Sequence, residues 1–584
     1  MRSHGLSSRG GVLATFLVVV VAASCVNSGA NVPQVPDAAD AADGFVEAWN
    51  EGEATAMSDL LVSGSSLTRT ELDRILSRAP GKGVVQGYEV SLTEEVETPS
   101  DEVVAESDDE VTVEAPYEIS YDVEGFNDTT LEGQFELAYD KESSEWVVDV
   151  GRDLMFPGVV GAKRLDLKAD WPARGEIVDR KGRVLAKGDG PARNYPFGTL
   201  AGSTIGHIEP LTRRALRDAA SGHEIGDLVG GAGLEEAYEE RLAGKPDLLL
   251  RVLDKKGKSV LVMGEQQGAP SRDLRTTLDI EVQRATSNAF GSTVGGAVVL
   301  DPKSGDLLAA VSSSEIDPNG YVGAAGVEPF NRALSGNYPP GSSMKVVTAG
   351  AALDTGVVKP STQLTGPAEY QGVRNFESGA YASLDFASAV RFSVNTAFAQ
   401  VALDLGAKRL SRYAELFGFN RPPAMPLEAA ESSFPFPEDP GDLMWGSIGQ
   451  AQDLATPLQM ASIAATVAND GLRMEPRSSF TDNKKGRRVL KKATARELAV
   501  LMEGAVNGGT GTSARISGVR IAGKTGTAEV DVGGKRKNHA WFVSFAPIDS
   551  PQVAIAVVSE YGGIGGQVAA PIARNIYIGV LPLT

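Results

Sequence analysis

Cysteine is almost absent from this sequence of 584 residues, in which Cys25 stands alone. A single cysteine excludes an intramolecular disulfide and any metal site built from several cysteines. Histidine is also scarce, with four residues in the whole chain. We therefore expect no metal site, and the sequence indicates no cofactor.

Basic residues are outnumbered, since 55 lysines and arginines face 76 aspartates and glutamates, for a net charge of −21. Such a surface repels phosphate backbones, so a nucleic acid partner is not expected. A Gly-x-Ser-x-Gly motif is also missing, which disfavours a Ser-His-Asp hydrolase. Of the histidines, His539 is expected either to line a cleft or to pack beside Trp541.

The N-terminus has the layout of an export signal. Arg2 and Arg9 precede an apolar run at residues 11–23, which is short for a bilayer span of roughly 20 residues. The run ends in AASC, which resembles the cleavage box of bacterial lipoproteins and predicts lipid attachment at Cys25. An uncleaved anchor helix is the alternative, and both place the chain at the extracytoplasmic face of the membrane.

The length predicts several domains, and the fold class is multidomain α+β. Residues 38–49 have helical spacing, and four later stretches up to residue 151 alternate as strands do. WPARGEIVDRKGRVLA then opens a strand-rich module, and LDIEVQRATSNAF opens a third module as a helix before a hairpin. The predicted division is 1–25 signal or anchor, 26–37 linker, 38–153 first domain, 154–272 second domain and 273–584 third domain.

The third domain contains YPPGSSMK, in which Ser342 follows a helix-breaking Pro-Pro-Gly and Lys345 lies three residues on. One helical turn brings the two side chains to the same face. A serine hydroxyl needs a base to become a nucleophile, and a lysine amine serves if its pKa is lowered by desolvation or by another cation. Taken alone, the pair is equally compatible with a helix cap and a surface lysine.

Two further motifs follow in the same domain. RFSVNTAF contains Ser393 and Asn395 just before an apolar helix, where both residues would also suit a helix cap. GKTGTAE contains Lys524, Thr525, Gly526 and Thr527 on a predicted strand. Gly526 lets a substrate backbone approach the strand edge, and Lys524 offers a positive charge.

Ser-x-x-Lys, Ser-x-Asn and Lys-Thr-Gly in this order are the signature of penicillin-binding proteins and class A β-lactamases. With WGSIGQAQDLATPLQMA, the third domain resembles the transpeptidase domain of class B penicillin-binding proteins, an antiparallel sheet flanked by helices. The second domain resembles their pedestal, or dimerisation-type, domain. The first is similar to the NTF2-like domain of the branch that includes resistance-type proteins, and a lipid anchor would match actinobacterial penicillin-binding lipoproteins.

The resemblance implies a role for each motif residue. Ser342 is the acylated nucleophile and Lys345 the general base, while Ser393 and Asn395 relay the proton to the departing amine and orient the donor. Lys524, with the hydroxyls of Thr525 and Thr527, holds the terminal carboxylate of the donor, and the backbone N–H groups of Ser342 and Thr527 meet the oxyanion.

The implied activity is peptidoglycan D,D-transpeptidation, in which stem peptides are cross-linked through a serine acyl-enzyme that β-lactams also form. A glycan polymerase is a possible partner, because no glycosyltransferase module is indicated. Attack by water instead of an amine would make the protein a D,D-carboxypeptidase or a β-lactamase. A non-catalytic β-lactam sensor or scaffold is the alternative from another class.

Overall fold

A computed structural model describes residues 34–77, 85–123, 125–127, 129–217, 222–313, 315–322 and 330–584. The described chain forms two compact units. One comprises the described residues up to Asp166 together with Leu250–Gly264, and the other comprises Leu167–Leu249 and Glu265–Thr584. The division into five segments remains a prediction.

The first unit is an α+β fold built on a four-stranded antiparallel sheet in the order β1-β2-β3-β4. Its elements are α1 (Ala38–Glu51), α2 (Ala54–Asp59), α3 (Arg69–Leu76), β1 (Val85–Leu92), α4 (Asp101–Glu106), β2 (Thr112–Val123), β3 (Thr130–Asp140) and β4 (Glu145–Asp149).

The alternation predicted for this unit reflects its packing. Along β2, Tyr117, Ile119 and Tyr121 are buried at every second position, as expected for a sheet with one face against a core. Trp49 of α1 meets Tyr117 edge to face, with ring centroids 5.2 Å apart. The apolar face of α1 therefore covers the sheet.

Short elements follow, many of only two to five residues. They are β5 (Ala162–Asp170), β6 (Ile177–Val178), β7 (Val184–Ala186), α5 (Gly202–Ile205), β8 (Ile208–Pro210), β9 (Leu228–Gly230), α6 (Gly233–Ala237), α7 (Glu239–Ala243), β10 (Asp247–Asp254), β11 (Ser259–Gln266) and β12 (Leu274–Arg275). Most of β5, β10 and β11 belongs to the first unit, and the other short elements belong to the second. Ion pairs stabilise the latter, where Glu235, fully buried, pairs with Arg174 at 2.8 Å and with Arg193 at 2.7 Å. Buried charges need such partners.

The rest of the second unit is larger and mixed. Its helices are α8 (Ile280–Phe290), α9 (Lys345–Asp354), α10 (Phe386–Phe392), α11 (Asn395–Leu405), α12 (Ala407–Phe417), α13 (Pro440–Gly446), α14 (Pro457–Ala468), α15 (Lys492–Gly508) and α16 (Ala569–Val580). Its strands are β13 (Gly295–Leu300), β14 (Leu307–Ser312), β15 (Gln363–Gly366), β16 (Glu369–Tyr370), β17 (Val373–Arg374), β18 (Tyr381–Asp385), β19 (Leu472–Met474), β20 (Gly486–Arg488), β21 (Ala522–Val532), β22 (Lys535–Ala546) and β23 (Val553–Ser559).

Five of these strands form one antiparallel sheet in the order β14-β13-β23-β22-β21. Successive side chains of β13 enter different cores, since Val298 belongs to the larger apolar cluster and Val299 to the smaller one with α8 and α16. Strands covered on both faces are buried at every position, as β13, β14 and β23 are, and their residues are mostly apolar. The predicted antiparallel sheet flanked by helices is confirmed, and β21 forms one of its edges.

No helix in the described part of the chain is both long and apolar enough to cross a membrane. The apolar run at residues 11–23 and the predicted lipid attachment site Cys25 lie outside the described residues.

Candidate active site

Ser342 lies in a tight 3-10 turn, Gly341–Met344, that leads directly into α9. Gly341 has a φ of +54°, and a Cβ there would lie 2.8 Å from the carbonyl oxygen of Thr527. Its N–H donates to the carbonyl of Gly449 at 2.8 Å, which ties the turn to a second loop. Ser342 is half-buried while Ser343 is fully buried, so the turn presents the first hydroxyl and hides the second.

Lys345 is the first residue of α9 and is 1% exposed. Its Nζ donates to the carbonyl of Ser393 at 2.9 Å and to Oδ1 of Asn395 at 2.5 Å, and it lies 3.2 Å from Oγ of Ser393. A neutral amine has two protons and one lone pair. Two carbonyl-type acceptors use both protons, which leaves the lone pair available to take a proton from a hydroxyl.

Burial and a neighbouring cation both disfavour a charge on Lys345. Desolvation is the larger cause and Lys524 the smaller one, and together they hold the pKa of Lys345 well below its usual value of 10.5. Desolvation lowers the pKa of Lys524 to about 7. The site therefore keeps one lysine as a base and a second near the midpoint of its titration at neutral pH.

Ser393 stands between the two lysines. Its Oγ accepts a hydrogen bond from Nζ of Lys524 at 2.8 Å, and Lys345 approaches the same oxygen from the other side. Ser393 ends α10 in the left-handed region, with φ +57° and ψ +44°. Non-glycine residues adopt this conformation at a cost, and such strain clusters at functional sites.

Asn395 begins α11, and its side chain is held from both ends. Its Nδ2 donates to the carbonyl of Arg374 at 2.7 Å, which turns Oδ1 towards Lys345. The next residue is anchored as well, since the N–H of Thr396 donates to Oδ1 of Asn375 at 3.0 Å. The helix caps that the sequence allowed as an alternative are absent here, because neither side chain of the Ser-x-Asn motif caps α11.

Gly526 has a packing reason to be glycine, besides the one expected from the sequence. A Cβ there would lie 2.5 Å from Oγ of Ser343 and 2.8 Å from the carbonyl oxygen of Pro340. The turn that carries Ser342 thus occupies the space that a side chain at this position would need, and the approach of a substrate backbone to the strand edge stays a prediction. The glycine allows β21 and the turn to approach each other.

Thr525 and Thr527 lie two residues apart on β21, so their side chains share one face of the strand. Oγ1 of Thr525 is hydrogen-bonded to Oγ1 of Thr510 at 2.7 Å, and Oγ1 of Thr527 accepts from the N–H of Gly565 at 3.3 Å. Thr527 is half-buried and Thr525 is buried. Thr510 was not anticipated, because nothing in the local pattern around it indicates a partner on a distant strand.

Residues 518–525 read GVRIAGKT and also satisfy the spacing of a phosphate-binding loop, which was not anticipated. Such a loop connects a strand to a helix and aims its N–H groups at phosphate. Here Ala522 begins β21, and Nζ of Lys524 donates to Ser393. The strand geometry excludes a phosphate-binding loop at these residues.

Aromatic and charged side chains on β22 and just after β23 contact the residues that precede the catalytic turn. Nε1 of Trp541 donates to the carbonyl of Pro339 at 2.9 Å, and the hydroxyl of Tyr338 donates to Glu560 at 2.7 Å. His539 packs edge to face on Tyr338 with centroids 5.3 Å apart, and its Nδ1 accepts from the N–H of Tyr561 at 3.2 Å. Of the two roles expected for His539, the structure thus shows packing, against Tyr338 and beside Tyr561.

Within the described residues, no group of three or more His, Cys, Asp or Glu side chains is placed to hold a metal ion. The chemistry of the site depends on two amines, two hydroxyls and one amide. This set suits transfer of an acyl group through a serine ester.

Three family profiles match successive parts of the chain. The "NTF2-like N-terminal transpeptidase domain" matches residues 37–163, the "Penicillin-binding Protein dimerisation domain" matches residues 187–276, and the "Penicillin binding protein transpeptidase domain" matches residues 295–577. The last of these contains the whole site described above.

Relatives and solved structures agree with the profiles. The peptidoglycan D,D-transpeptidase PbpA of Mycolicibacterium smegmatis is 35% identical over 390 residues, which cover 59% of this chain and 78% of that protein. The D,D-transpeptidase domain of an Eggerthella lenta peptidoglycan glycosyltransferase is similar with a TM-score of 0.58 and 29% identity, over 70% of this chain and 99% of that one. The imipenem acyl-enzyme of penicillin-binding protein A from M. tuberculosis is similar with a TM-score of 0.57 and 28% identity, over 70% and 99%.

Proposed function

This chain belongs to the class B penicillin-binding proteins, and from that premise we propose that it is a peptidoglycan D,D-transpeptidase acting through Ser342. The observation that carries the proposal is the convergence of Lys345 and Lys524 on the hydroxyl of Ser393, next to the turn of Ser342. An amine of lowered pKa beside a serine is what a serine acyl-transferase needs.

In the proposed reaction, Oγ of Ser342 attacks the carbonyl carbon of the D-Ala-D-Ala bond and Lys345 takes the hydroxyl proton. The C–N bond then breaks, and the proton passes through Ser393 to the departing nitrogen, so that D-alanine leaves as a neutral amine. A neutral amine of a second stem peptide attacks the ester, and its proton returns to Ser342 by the reverse route. The product is one new amide bond per donor consumed.

Lys524 is proposed to hold the terminal carboxylate of the donor, with the hydroxyls of Thr525 and Thr527. Its edge strand supports this role, because β21 has a strand neighbour on one side only. Burial increases the strength of an ion pair with an arriving carboxylate. The N–H groups of Ser342 and Thr527 are proposed to stabilise the oxyanion, since Gly341 already packs on the Thr527 carbonyl.

β-Lactams are proposed to acylate the same hydroxyl, by analogy with the acyl-enzyme that imipenem forms with the M. tuberculosis protein. Intact-protein mass measurement after exposure to penicillin tests this. The native chain should gain the mass of one penicillin, and Ser342→Ala should gain nothing. An adduct that persists in Ser342→Ala would move the nucleophile to another residue.

The nucleophile that attacks the acyl-enzyme, an amine or water, decides whether this serine serves a transpeptidase, a carboxypeptidase or a β-lactamase. Incubation of the native chain with a donor peptide and an amine acceptor should yield a cross-linked product that grows with acceptor concentration. Release of free D-alanine with no cross-link would identify a carboxypeptidase. Rapid loss of the penicillin adduct would identify a β-lactamase. A chain that releases no D-alanine and forms no cross-link would be a sensor or scaffold.

We also propose that the chain is anchored by a lipid on Cys25 at the extracytoplasmic face of the membrane, where stem peptides and a partner glycan polymerase would meet it. The support is the AASC sequence after an export-type apolar run. Metabolic labelling with a fatty acid should mark the native chain and leave Cys25→Ser unmarked. Equal labelling of both would refute the lipid anchor.

A further inference from the structure

A cavity of about 310 Å³ lies beside the loop whose Gly449 carbonyl accepts a hydrogen bond from the catalytic turn. Three segments line it: the chain before α13, α13 itself, and the loop that leads to α14. Its polar and apolar lining includes Phe436, Glu438, Asp442, Gly446, Gln452 and Asp453. None of the described residues that line it is basic.

Asp453 is the unusual group in this cavity. It is 3% exposed, and its Oδ2 has no hydrogen-bond partner among the described residues. Carboxyl groups this deeply buried are normally paired with a cation or with several donors. An unpaired carboxyl oxygen on a residue that lines a cavity points to an occupant with a donor to offer.

The backbone holds Asp453 in this position. Gly446 lies against it, since a Cβ at Gly446 would be 3.6 Å from Oδ1 of Asp453 and 3.4 Å from the ring of Phe434. The next residue, Leu454, pairs with Ser433 through two backbone hydrogen bonds. These contacts fix the backbone beside Asp453 and place its carboxyl close to α13.

The remaining lining defines the chemistry of the occupant. Glu438 and Asp442 are exposed carboxylates at the cavity mouth, and Phe436 adds an aromatic ring that is 51% exposed. A cation is attracted by the two exposed carboxylates, and an apolar stem is accommodated by the ring. We propose that this cavity is a binding site for an alkylammonium group on an apolar stem, with Asp453 as its anionic partner.

Binding of a cation is linked to the protonation of Asp453. Burial raises the pKa of Asp453 well above its usual value, which favours the protonated carboxyl as long as no cation is bound. When the ammonium enters, a carboxyl proton goes to solvent and the carboxylate pairs with the cation. The other charged side chains that line the cavity are Glu438 and Asp442. Binding should therefore be accompanied by proton release.

Calorimetric titration of the purified full-length chain tests the site with two matched probes, Nα-acetyl-lysine amide and Nα-acetyl-norleucine amide. We expect the lysine probe to bind about tenfold or more tightly than the norleucine probe, because only it has the cation. Repeating the titration in two buffers of different ionisation heat measures the released proton.

Asp453→Asn should abolish the preference for the lysine probe while preserving the fold, because an amide has nearly the size of the carboxyl and no charge to bury. Asp404→Asn is the matched control, an exposed aspartate on α11, and should retain the preference. An unchanged preference in Asp453→Asn, or equal binding of the two probes to the native chain, would overturn the proposal. Cadaverine serves as a third probe. If it binds more weakly than Nα-acetyl-lysine amide, the ligand of the cavity is a peptide, and if it binds equally well, the ligand is a free amine.

Discussion

At the scale of single residues, the site brings two amines to one hydroxyl. Two ammonium groups this close would repel each other, and burial makes the repulsion stronger. The structure disfavours a second charge there, because burial and then the Lys524 cation hold the pKa of Lys345 well below its usual value of 10.5. Oγ of Ser393 accepts from Lys524 at 2.8 Å and lies 3.2 Å from Nζ of Lys345.

The pH dependence of acylation follows from these two values. Lys345 must lose its proton to act as base, so the rate of acylation by a penicillin should rise with pH through its lowered pKa. Lys524 must keep its proton to hold a carboxylate, so the rate should fall as pH rises through about 7. Stopped-flow measurement with a fluorescent penicillin should give a bell-shaped profile.

Variants of each lysine separate the acidic and the alkaline limb of this pH–rate profile. Lys345→Met should slow acylation by about a hundredfold or more at every pH, because the base is lost. Lys524→Arg keeps its charge at all these pH values and should lose the alkaline limb. A native profile that stays flat above neutrality would show that the charge of Lys524 does not limit the reaction.

At the scale of elements, the edge strand β21 and the catalytic turn are built for close approach. Glycine occupies both sides of the contact, with Gly341 against the Thr527 carbonyl and Gly526 against the Pro340 carbonyl. Interiors are packed tightly enough that one added methyl group is felt. The position of Ser342 therefore depends on the absence of a Cβ at Gly341 and at Gly526.

Gly526→Ala tests this contact. The new Cβ would have to displace the Pro340 carbonyl, so we expect a loss of about 1–3 kcal/mol in the free energy of unfolding and a large fall in the acylation rate. Denaturant unfolding and penicillin labelling measure the two effects.

Gly504→Ala provides the control, since Gly504 lies within α15 and a Cβ there has open space around it. It should stabilise the chain by about 0.5–1 kcal/mol and leave labelling unchanged. If both substitutions had the same effect, the close approach of β21 to the turn would not be what requires glycine.

At the scale of the whole molecule, the chain has two compact units with separate cores, and the catalytic residues all belong to the second. A unit with its own core can unfold as its own cooperative step. The first unit contributes no residue to the site described above.

Calorimetry should accordingly resolve two unfolding transitions. Acylation of Ser342 adds contacts only in the second unit, so penicillin should raise the midpoint of one transition and leave the other in place. The same scan on Ser342→Ala should show no shift. A single transition that moves as a whole would mean that the two units unfold together.

Local patterns determined much of this architecture. Period-two burial in β2 and the helical spacing of α1 and α8 could be predicted because each depends on residues only a few positions apart. The motifs likewise named side chains that converge, since Lys345, Ser393, Asn395 and Lys524 share hydrogen bonds. No hydrogen bond joins Ser342 to Lys345 among the described residues, so the contact expected from Ser-x-x-Lys stays a prediction.

Tertiary structure alone decided the rest. The bond from Lys524 to Ser393 joins residues 131 positions apart, and no local period encodes such a distance. The close packing at Gly526, the hydroxyl pair of Thr510 and Thr525, and the burial of Asp453 all depend on segments that meet only after folding. Sequence specified the chemical groups, and packing set their protonation, because desolvation and neighbouring charge exist only in the folded chain.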